Sequence, residues 1–181
     1  MTSTIDAPPQ AADDHVGGAV TLRSATAVDA VGVHRLITDN LVAGHLLPRP
    51  LGEIELHVPR FLVAAAGGRI VGCGELARLS RAVGEVRSLV VDKAHRGAGL
   101  GRRLLAALVD EARRQGYPTV CAFTHRARPF VRAGFSIVPH TWVPEKIATD
   151  CHRCEWFRRC GQYAVVLNLA PAAPVPARKT S

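Results

Sequence analysis

The sequence predicts an α/β (α+β) protein built as one domain around a mixed central sheet flanked by helices. Three observations support this fold class. A β-branched and leucine-rich strand at residues 86–91 leads through a glycine-rich turn into an amphipathic helix at 99–115. Apolar stretches at 61–66 and 69–76 flank a Gly-Gly pair and predict an antiparallel hairpin. A late apolar strand is expected at 162–169.

The remaining elements follow from capping and breaking residues. Thr26 and Asp29 give a capping-box pattern ahead of an apolar helix face at 33–41, which we expect to end near Gly44. Two further glycines, Gly72 and Gly74, indicate a bulge or a close approach of the backbone to a neighbour. We also expect strands at 20–23, 119–124 and 135–138, helices at 51–57 and 128–133, and irregular structure over 142–160.

Length and composition indicate one folded unit with two tails. The chain has 181 residues, 48% of them hydrophobic, which suffices for a core. Residues 1–18 and 171–181 are small, polar and proline-containing, so we expect two disordered tails around a domain at 19–170. No apolar run approaches about 18 residues, and no basic segment precedes an apolar one at the N-terminus. The sequence therefore predicts a cytoplasmic protein with no membrane partner and reduced cysteines.

The charge balance points to an anionic partner. Lys and Arg number 23 against 15 acidic residues, for a net charge of +8. A basic body suits an anionic cofactor and an acidic substrate. The chain has only five Phe, two Trp and two Tyr, and no lysine-rich run, so the sequence does not favour nucleic acid as a partner.

The turn at residues 96–101, Arg-Gly-Ala-Gly-Leu-Gly, predicts a phosphate site. Its glycines allow a ligand close to the backbone, and the first amides of the following helix point outward with the positive end of the helix dipole. Neither GxGxxG nor the Walker pattern is present. Arg96, Gly99 and Gly101 instead give RxxGxG between a hydrophobic strand and an amphipathic helix. This pattern resembles the acetyl-CoA loop of the GNAT acyltransferase superfamily.

The resemblance covers residues 20–169 and implies a single GNAT-like domain. In that family the fourth and fifth strands, here 86–91 and 119–124, splay apart around the pantetheine arm of acetyl-CoA. Backbone groups of Leu89 and Val91 would bond the pantetheine amides, and the loop at 96–101 would hold the pyrophosphate. The resemblance thus implies a cofactor site formed by Leu89, Val90, Val91, Arg96, Gly97, Ala98, Gly99, Leu100, Gly101 and Arg102.

Three further segments resemble N-acetylglutamate synthases. They are Gly-Glu-Val-Arg-Ser-Leu at 84–89, Leu-Leu-Pro-Arg at 46–49, and Val-Pro-Glu-Lys at 143–146 followed by Asp150, Cys151 and Cys154. The segments stand in the family's order. They imply a stand-alone amino-acid N-acetyltransferase whose acceptor is L-glutamate, so that the product would serve arginine biosynthesis.

Amine attack on a thioester needs a base to remove a proton from the acceptor's ammonium. Glu85, at the start of the central strand, is the candidate base; the alternative is a strand-end carboxylate paired with Arg87. Forked arginines hold carboxylates well, so Arg49 and Arg87 are candidate clamps for the acceptor, with Lys146 as a third cation. The alternatives are a solvated loop charge for Arg49 and a salt bridge to Glu85 or Glu75 for Arg87.

The acid that protonates the leaving thiolate is less defined. Many GNAT enzymes carry a tyrosine in the helix after the fifth strand, but Phe130 and Val131 stand there in this sequence. Thr124 and His125, at the end of that strand, are the candidates. The thiolate leaving unassisted is the alternative.

A C-x2-C-x5-C group follows at Cys151, Cys154 and Cys160. C-x2-C is a zinc-binding spacing, but the fourth ligand would have to be His152, His140 or a distant group. Reduced thiols that pack a loop and redox sensing are the alternatives to a structural zinc.

Other functions stay open at this point. The acceptor is a small-molecule amino acid in the leading interpretation and another amine, such as a peptide N-terminus, in the second. A non-catalytic acyl-CoA sensor is the third, because the tyrosine is missing. The apolar strand at 163–169 is a candidate homodimer contact.

Overall fold

The structure is a computed structural model that describes residues 19–41 and 47–169. The two predicted tails and the helix end near Gly44 lie outside these residues. Seven strands are described: β1 Thr21–Ser24, β2 Phe61–Ala66, β3 Arg69–Arg78, β4 Val83–Val91, β5 Thr119–Thr124, β6 Ser136–Val138 and β7 Tyr163–Asn168. The described α-helices are α1 Ala30–Thr38, α2 Leu51–His57, α3 Leu100–Arg114, α4 Arg128–Arg132 and α5 Pro144–Thr149.

The described strands form one mixed sheet in the order β1-β2-β3-β4-β5-β7-β6. The neighbours β4 and β5 run parallel, and the other neighbouring strands are antiparallel. The β2–β3 hairpin turns at Gly67 and Gly68, whose φ angles of 54° and 77° are left-handed as a tight two-residue turn requires. The mixed α/β fold class is confirmed.

The parallel pair opens after three residues. Val83 to Glu85 pair with Thr119 to Cys121, but no pairing follows although β4 continues to Val91. A bulge in β4 explains the opening. The register against β3 shifts between Cys73 and Glu75, so the single residue Gly74 of β3 faces two residues of β4, Ser88 and Leu89. Ser88 lies in this bulge with φ 51°, the left-handed region that non-glycine residues rarely adopt. The predicted splay of β4 and β5 is therefore present.

Helices cover both faces of the sheet. On one face Leu104 and Leu108 of α3 press onto β3, where a β-carbon would lie 2.9 Å from Leu104 Cδ1 at Gly72 and 2.6 Å from Leu108 Cδ1 at Gly74. The close backbone approach predicted for these glycines is thus confirmed, and Gly74 also faces the bulge. On the other face α1 and α2 pack on the sheet through a second cluster that includes Ile37, Ile54, Phe61, Val63 and Cys73.

The helix expected after the Thr26 cap is present as a single turn at Ala27–Asp29 that continues into α1, Ala30–Thr38. One local prediction needs correction. The segment 142–160 is not wholly irregular, because Val143 and Pro144 open the short helix α5, followed by single turns at Cys151–Arg153 and Phe157–Arg159. The capping box is present: the backbone N–H and hydroxyl of Thr26 both donate to Asp29 Oδ2, at 2.7 and 2.9 Å.

None of the helices among the described residues is long and apolar enough to cross a membrane.

Candidate active site

A cleft of about 1620 Å³ follows the gap between β4 and β5, from the N-terminus of α3 to α5. The bulge and the early end of the β4–β5 pairing create this gap. All the residues that the sequence predicts for the site line the cleft. They are Leu89, Val90, Val91, Arg96, Gly97, Ala98, Gly99, Leu100, Gly101 and Arg102 along one end, and Arg49, Glu85, Arg87, Thr124, His125, Lys146, Cys151, Cys154 and Cys160 along the other.

The glycine-rich turn presents backbone donors to the cleft. Gly97 and Gly99 have φ angles of 87° and 79°, which favour glycine. Gly99 is the N-cap of α3 and supplies no side-chain cap, so the first amides of this 15-residue helix keep their donors for a ligand. With the helix dipole they form a site for phosphate oxygens. These residues fit a pyrophosphate group.

Arg96 is fixed by contacts that the sequence did not predict. Its Nε donates to Val91 O at 3.0 Å, and its Nη2 donates to Asn40 Oδ1 at 2.5 Å. Asn40 is buried and donates in turn to Leu36 O at 2.8 Å. The sequence does carry a sign of this role. Asn40 continues the apolar spacing of Val33, Leu36 and Ile37, so it places a polar side chain on the buried face that these residues form.

Glu85 is the centre of a charged cluster at the other end of the cleft. This carboxylate is 2% exposed. Lys146 Nζ lies 2.6 Å from Glu85 Oε1 and 2.6 Å from Asp150 Oδ2. Arg87 Nη2 lies 3.0 Å from Glu85 Oε2 and 3.9 Å from Asp150 Oδ2. Two cations and two carboxylates therefore balance each other next to the splayed strands.

The cluster holds Lys146 and Asp150 in their charged forms. Burial works against the charge of Lys146, but the neighbouring Glu85 and Asp150 carboxylates hold the pKa of its ammonium above the usual value. Burial likewise opposes the charge of Asp150, but the hydrogen bond from Lys146 keeps the pKa of its carboxyl below the usual value. The Lys146 ammonium also lies 5.6 Å from the centre of the Phe123 ring, a cation–π contact.

Arg49 is buried rather than a solvated loop charge, since its side chain is 9% exposed. Its Nη1 donates to Glu75 Oε2 at 2.9 Å and to Ser88 Oγ at 3.1 Å, and its Nη2 lies 2.8 Å from Glu53 Oε1. Burial disfavours its charge, but Glu75 and Glu53 hold the pKa of the guanidinium above the usual value. Arg49 thus connects α2, β3 and the bulge of β4.

The three predicted clamps already contact carboxylates of the protein. Among the described residues, the buried side-chain nitrogens and oxygens that lack a hydrogen bond belong to four residues of this region. They are Nε and Nη2 of Arg49, Nε of Arg87, Oε1 of Glu75 and Oε2 of Glu85. Arg49 Nη2 and Glu85 Oε2 still lie within ion-pair distance of Glu53 and Arg87. The donors at Nε of Arg49 and Arg87 and the acceptor Oε1 of Glu75 are therefore the atoms with unused hydrogen-bonding capacity.

The two candidates for the leaving-group acid lie on the opposite wall. Thr124 Oγ1 accepts a hydrogen bond from Arg126 N at 3.0 Å, which leaves its own O–H free to donate elsewhere. The His125 ring packs near Gly161, where a β-carbon would lie 3.6 Å from His125 Cε1. Phe130 is one of the two residues at the place where the family resemblance implies a tyrosine. It is buried and stacks edge-on against Phe135, so it belongs to the core.

The cysteines divide into two groups. Cys73 and Cys121 are buried in the sheet, and burial raises the pKa of the Cys73 thiol to about 12. The thiols of Cys151, Cys154 and Cys160 are free, half-buried and line the cleft. Within residues 19–41 and 47–169, no group of three or more His, Cys, Asp or Glu side chains is arranged to hold a metal ion. The predicted zinc alternative therefore finds no matching geometry.

A bulged strand, an opened parallel pair and a helix N-terminus suited to phosphate are the features expected of a coenzyme A-dependent acyltransferase. The chain belongs to the acetyltransferase (GNAT) family, whose model matches residues 31–135. This confirms the predicted family and the predicted enzyme class.

Individual relatives agree with the family. An uncharacterised N-acetyltransferase of Chlorobaculum tepidum is 29% identical over 148 residues, which cover 82% of this chain and 96% of that protein. An amino-acid acetyltransferase of Mycobacterium tuberculosis is 30% identical and covers 73% of this chain and 77% of its own length. Other amino-acid acetyltransferases are much longer, and the chain spans 28% or 30% of their length.

A solved structure shows the same fold with ligands. N-acetylglutamate synthase from Neisseria gonorrhoeae, complexed with coenzyme A and N-acetyl-glutamate, superposes with a TM-score of 0.74 at 26% sequence identity. The match covers 83% of this chain and 35% of the gonococcal chain. The similarity is therefore to one portion of a longer enzyme.

Proposed function

We propose that this protein transfers an acetyl group from acetyl-CoA to the α-amino group of a small acidic amino acid, with L-glutamate as the acceptor and N-acetylglutamate as the product. The observation that carries the proposal is that Arg49, Glu85 and Arg87 line the cleft together and that Nε of both arginines has no hydrogen-bond partner among the described residues. Such N–H donors complement a carboxylate, and the Glu85 carboxylate complements an ammonium. An amino acid carries both groups.

The acetyl-CoA end of the cleft follows from the residues that fit it. The amides at the start of α3, near Gly99, would hold the pyrophosphate, and the fixed Arg96 would add charge. Strand β4 beyond the bulge, at Leu89 and Val91, no longer pairs with β5, so its edge is available to the amides of the pantetheine arm. Acetyl-CoA supplies the activated acetyl group when bound.

Glu85 would accept the proton that the acceptor's ammonium must lose before it can attack. The nitrogen lone pair then forms a bond to the acetyl carbon while the carbon–sulfur bond breaks. The sulfur leaves with the bonding pair and takes up a proton, and the nitrogen gives up its second proton to leave the neutral amide. A backbone N–H in the Ser88 bulge would stabilise the charge that develops on the carbonyl oxygen, because a bulge residue is not fully used by the strand pairing. Thr124 and His125 stay the candidates for protonating the sulfur.

Acceptor choice would rest on the three cations. Arg87 uses Nη2 on Glu85 and keeps a buried Nε for a second acceptor, and Arg49 likewise keeps Nε. Lys146, on α5, lies 2.6 Å from Oε1 of the same Glu85 carboxylate. Three cations suit an acceptor with two carboxylates better than one with a single carboxylate. The similarity to enzymes named amino-acid acetyltransferase supports the same acceptor class.

The test is thiol release from acetyl-CoA with each of the twenty amino acids, for the wild type, Glu85→Gln and Arg87→Leu. We expect turnover with glutamate. Loss of a general base lowers rates by about 10²–10⁴-fold, so Glu85→Gln should lose kcat, whereas Arg87→Leu should chiefly raise the KM for glutamate. Glu111→Gln, which removes a carboxylate paired with Arg114 on the outer side of α3, is the matched control and should keep the wild-type rate.

Two results would contradict the proposal. Full glutamate turnover in Glu85→Gln would exclude Glu85 as the base. No turnover with any amino acid, in protein that still binds acetyl-CoA, would shift the acceptor to another amine such as a peptide N-terminus. Failure with those amines too would favour a non-catalytic acyl-CoA sensor.

A further inference from the structure

Asp150 has no part in the mechanism above, yet it contacts both cations that hold the proposed base. It lies at the end of α5, accepts a hydrogen bond from Lys146 Nζ at 2.6 Å, and lines the cleft with a side chain that is 40% exposed. Arg87 Nη2 lies 3.9 Å from the same carboxylate oxygen. Glu85 and Asp150 therefore compete for the same two cations.

This competition bears on the strength of the base. A carboxylate held by two close cations is stabilised in its charged form and accepts a proton poorly. When a second carboxylate shares those cations, the cations stabilise the charge of the first carboxylate less. The negative charge of the second carboxylate also favours protonation of the first. Asp150 thus acts against the effect that Lys146 and Arg87 have on Glu85.

The exposure of the two carboxylates fits this division of roles. Glu85 is almost completely buried, whereas Asp150 opens to the cleft. A buried charge without a partner is strongly unfavourable. When Glu85 takes a proton from the acceptor, Lys146 loses the counter-charge of Glu85. Asp150 still provides a negative charge next to Lys146 at that moment.

Resting on the proposed function, we propose that Asp150 is a positioning residue: by sharing Lys146 with Glu85, it keeps Glu85 able to accept the proton of the acceptor's ammonium. Lys146 is then primarily the link between the two carboxylates and only secondarily a contact of the acceptor.

The groups that surround Glu85 come from three elements. They are Arg87 on β4, Cys121 on β5, and Lys146 and Asp150 in α5 and at its end. Burial raises the pKa of the Cys121 thiol, with a contribution from Glu85, so this thiol stays neutral near pH 7. The charge that Glu85 experiences is therefore set mainly by Arg87, Lys146 and Asp150.

The two substitutions that remove one charge each should act in opposite directions. In Asp150→Asn, both cations act on Glu85 alone, so the acidic limb of the profile of kcat/KM against pH should move to lower pH. In Lys146→Met, Glu85 loses a cation and keeps the repulsion from Asp150, so the limb should move to higher pH. Removing a charge at this distance should shift the limb by about one pH unit or more, and the plateau of Asp150→Asn should fall several-fold because a weaker base is a poorer catalyst.

The experiment measures these profiles with whichever acceptor turns over, together with the titration of the Glu85 carboxyl carbon by ¹³C NMR in protein without acceptor. The Glu85 signal is assigned by its absence in Glu85→Gln. Lys146→Arg, which keeps the charge, should return the limb close to its wild-type position, and Glu111→Gln should leave it unchanged.

Opposite shifts in Asp150→Asn and Lys146→Met would support the inference. Shifts in the same direction, or none in either variant, would overturn it, since a merely structural role lowers the amount of active protein without moving the limb. The proposed function fails separately: it is lost if no amino acid turns over in protein that still binds acetyl-CoA. The NMR titration needs no turnover, so it tests the sharing of Lys146 in that case as well. Wild-type turnover in Glu85→Gln would overturn the inference itself, because Glu85 would then not be the base.

Discussion

Arg49 Nη1 lies 2.9 Å from Glu75 Oε2, and this pair joins the segment ahead of α2 to the middle of β3. Glu75 is fully buried, and among the described residues its ion-pair partner is Arg49. Arg49 also donates to Ser88 Oγ in the left-handed bulge. The charge pair therefore supports the strand geometry that opens the cleft.

Arg49→Ala should destabilise the protein by about 3–5 kcal/mol, because it leaves the Glu75 carboxylate buried without a partner. Urea unfolding at neutral pH measures the loss. The double variant Arg49→Ala/Glu75→Gln should recover at least half of it, since the uncompensated charge is gone. Asp39→Asn is the control: it breaks an exposed pair with Arg35 and should change the unfolding free energy by less than about 0.5 kcal/mol. Equal losses in the single and double variants would contradict the charge argument.

Gly97→Ala and Gly116→Ala should separate backbone strain from ligand binding. Both glycines have left-handed φ angles, 87° and 76°, and a β-carbon at either would meet no atom within 4 Å. Each substitution should therefore cost about 1–2 kcal/mol of stability. Only Gly97 lines the cleft, so only Gly97→Ala should raise the Kd for coenzyme A, by tenfold or more, or about 1.4 kcal/mol. Calorimetric titration with coenzyme A measures the two Kd values. Equal affinities in both variants would show that the turn is not part of the cofactor site.

Gly74→Ala should destabilise the contact between the sheet and α3. The added β-carbon would lie 2.6 Å from Leu108 Cδ1, and Leu108 is fully buried and cannot move aside freely. We expect a loss of about 1–3 kcal/mol, as for other overpacked cores. Gly52→Ala in α2 meets nothing within 4 Å and should be neutral or stabilising by up to about 1 kcal/mol. Thermal unfolding of the two variants compares them directly, and a neutral Gly74→Ala would show that α3 can shift.

The Asp29 carboxylate predicts a pH dependence of stability. Two hydrogen bonds from Arg23 hold the pKa of Asp29 well below its usual value. Burial acts in the opposite direction, and hydrogen bonds from Thr26 lower the pKa further. A lowered folded-state pKa stabilises the protein above the unfolded-state pKa, near 3.9, and this stabilisation is lost as the pH falls through the folded-state value. Asp29→Asn should therefore lose about 1.5–3 kcal/mol at pH 7 and progressively less below about pH 4. A loss independent of pH would assign the effect to packing instead.

Much of the secondary structure could be predicted from local pattern. The spans Leu51–His57, Phe61–Ala66 and Thr119–Thr124 agree with the predicted bounds, because breakers or a tight turn delimit each one. The helix α5 was missed, since its six residues carry no apolar period long enough to detect. Short helices take their stability from packing rather than from propensity.

The site was predicted unevenly for a similar reason. Gly97, Gly99 and Arg96 are recognisable because a phosphate loop is contiguous in the chain. The roles of Asn40 and Asp150 could not be recognised in the sequence. Asn40 contacts Arg96, which lies 56 residues away, and Asp150 contacts Arg87 on another element. A single sequence gives no sign of which carboxylate will meet which cation.

The sequence by itself determined the strand–turn–helix unit, the order of most elements and the family, since these depend on spacing along the chain. Only the tertiary structure decided that Arg49 is buried against Glu75 and that Lys146 lies between Glu85 and Asp150. Those pairings join the segment ahead of α2 to β3, and α5 to β4. They form because burial in the folded core makes an unpaired charge too unfavourable to remain.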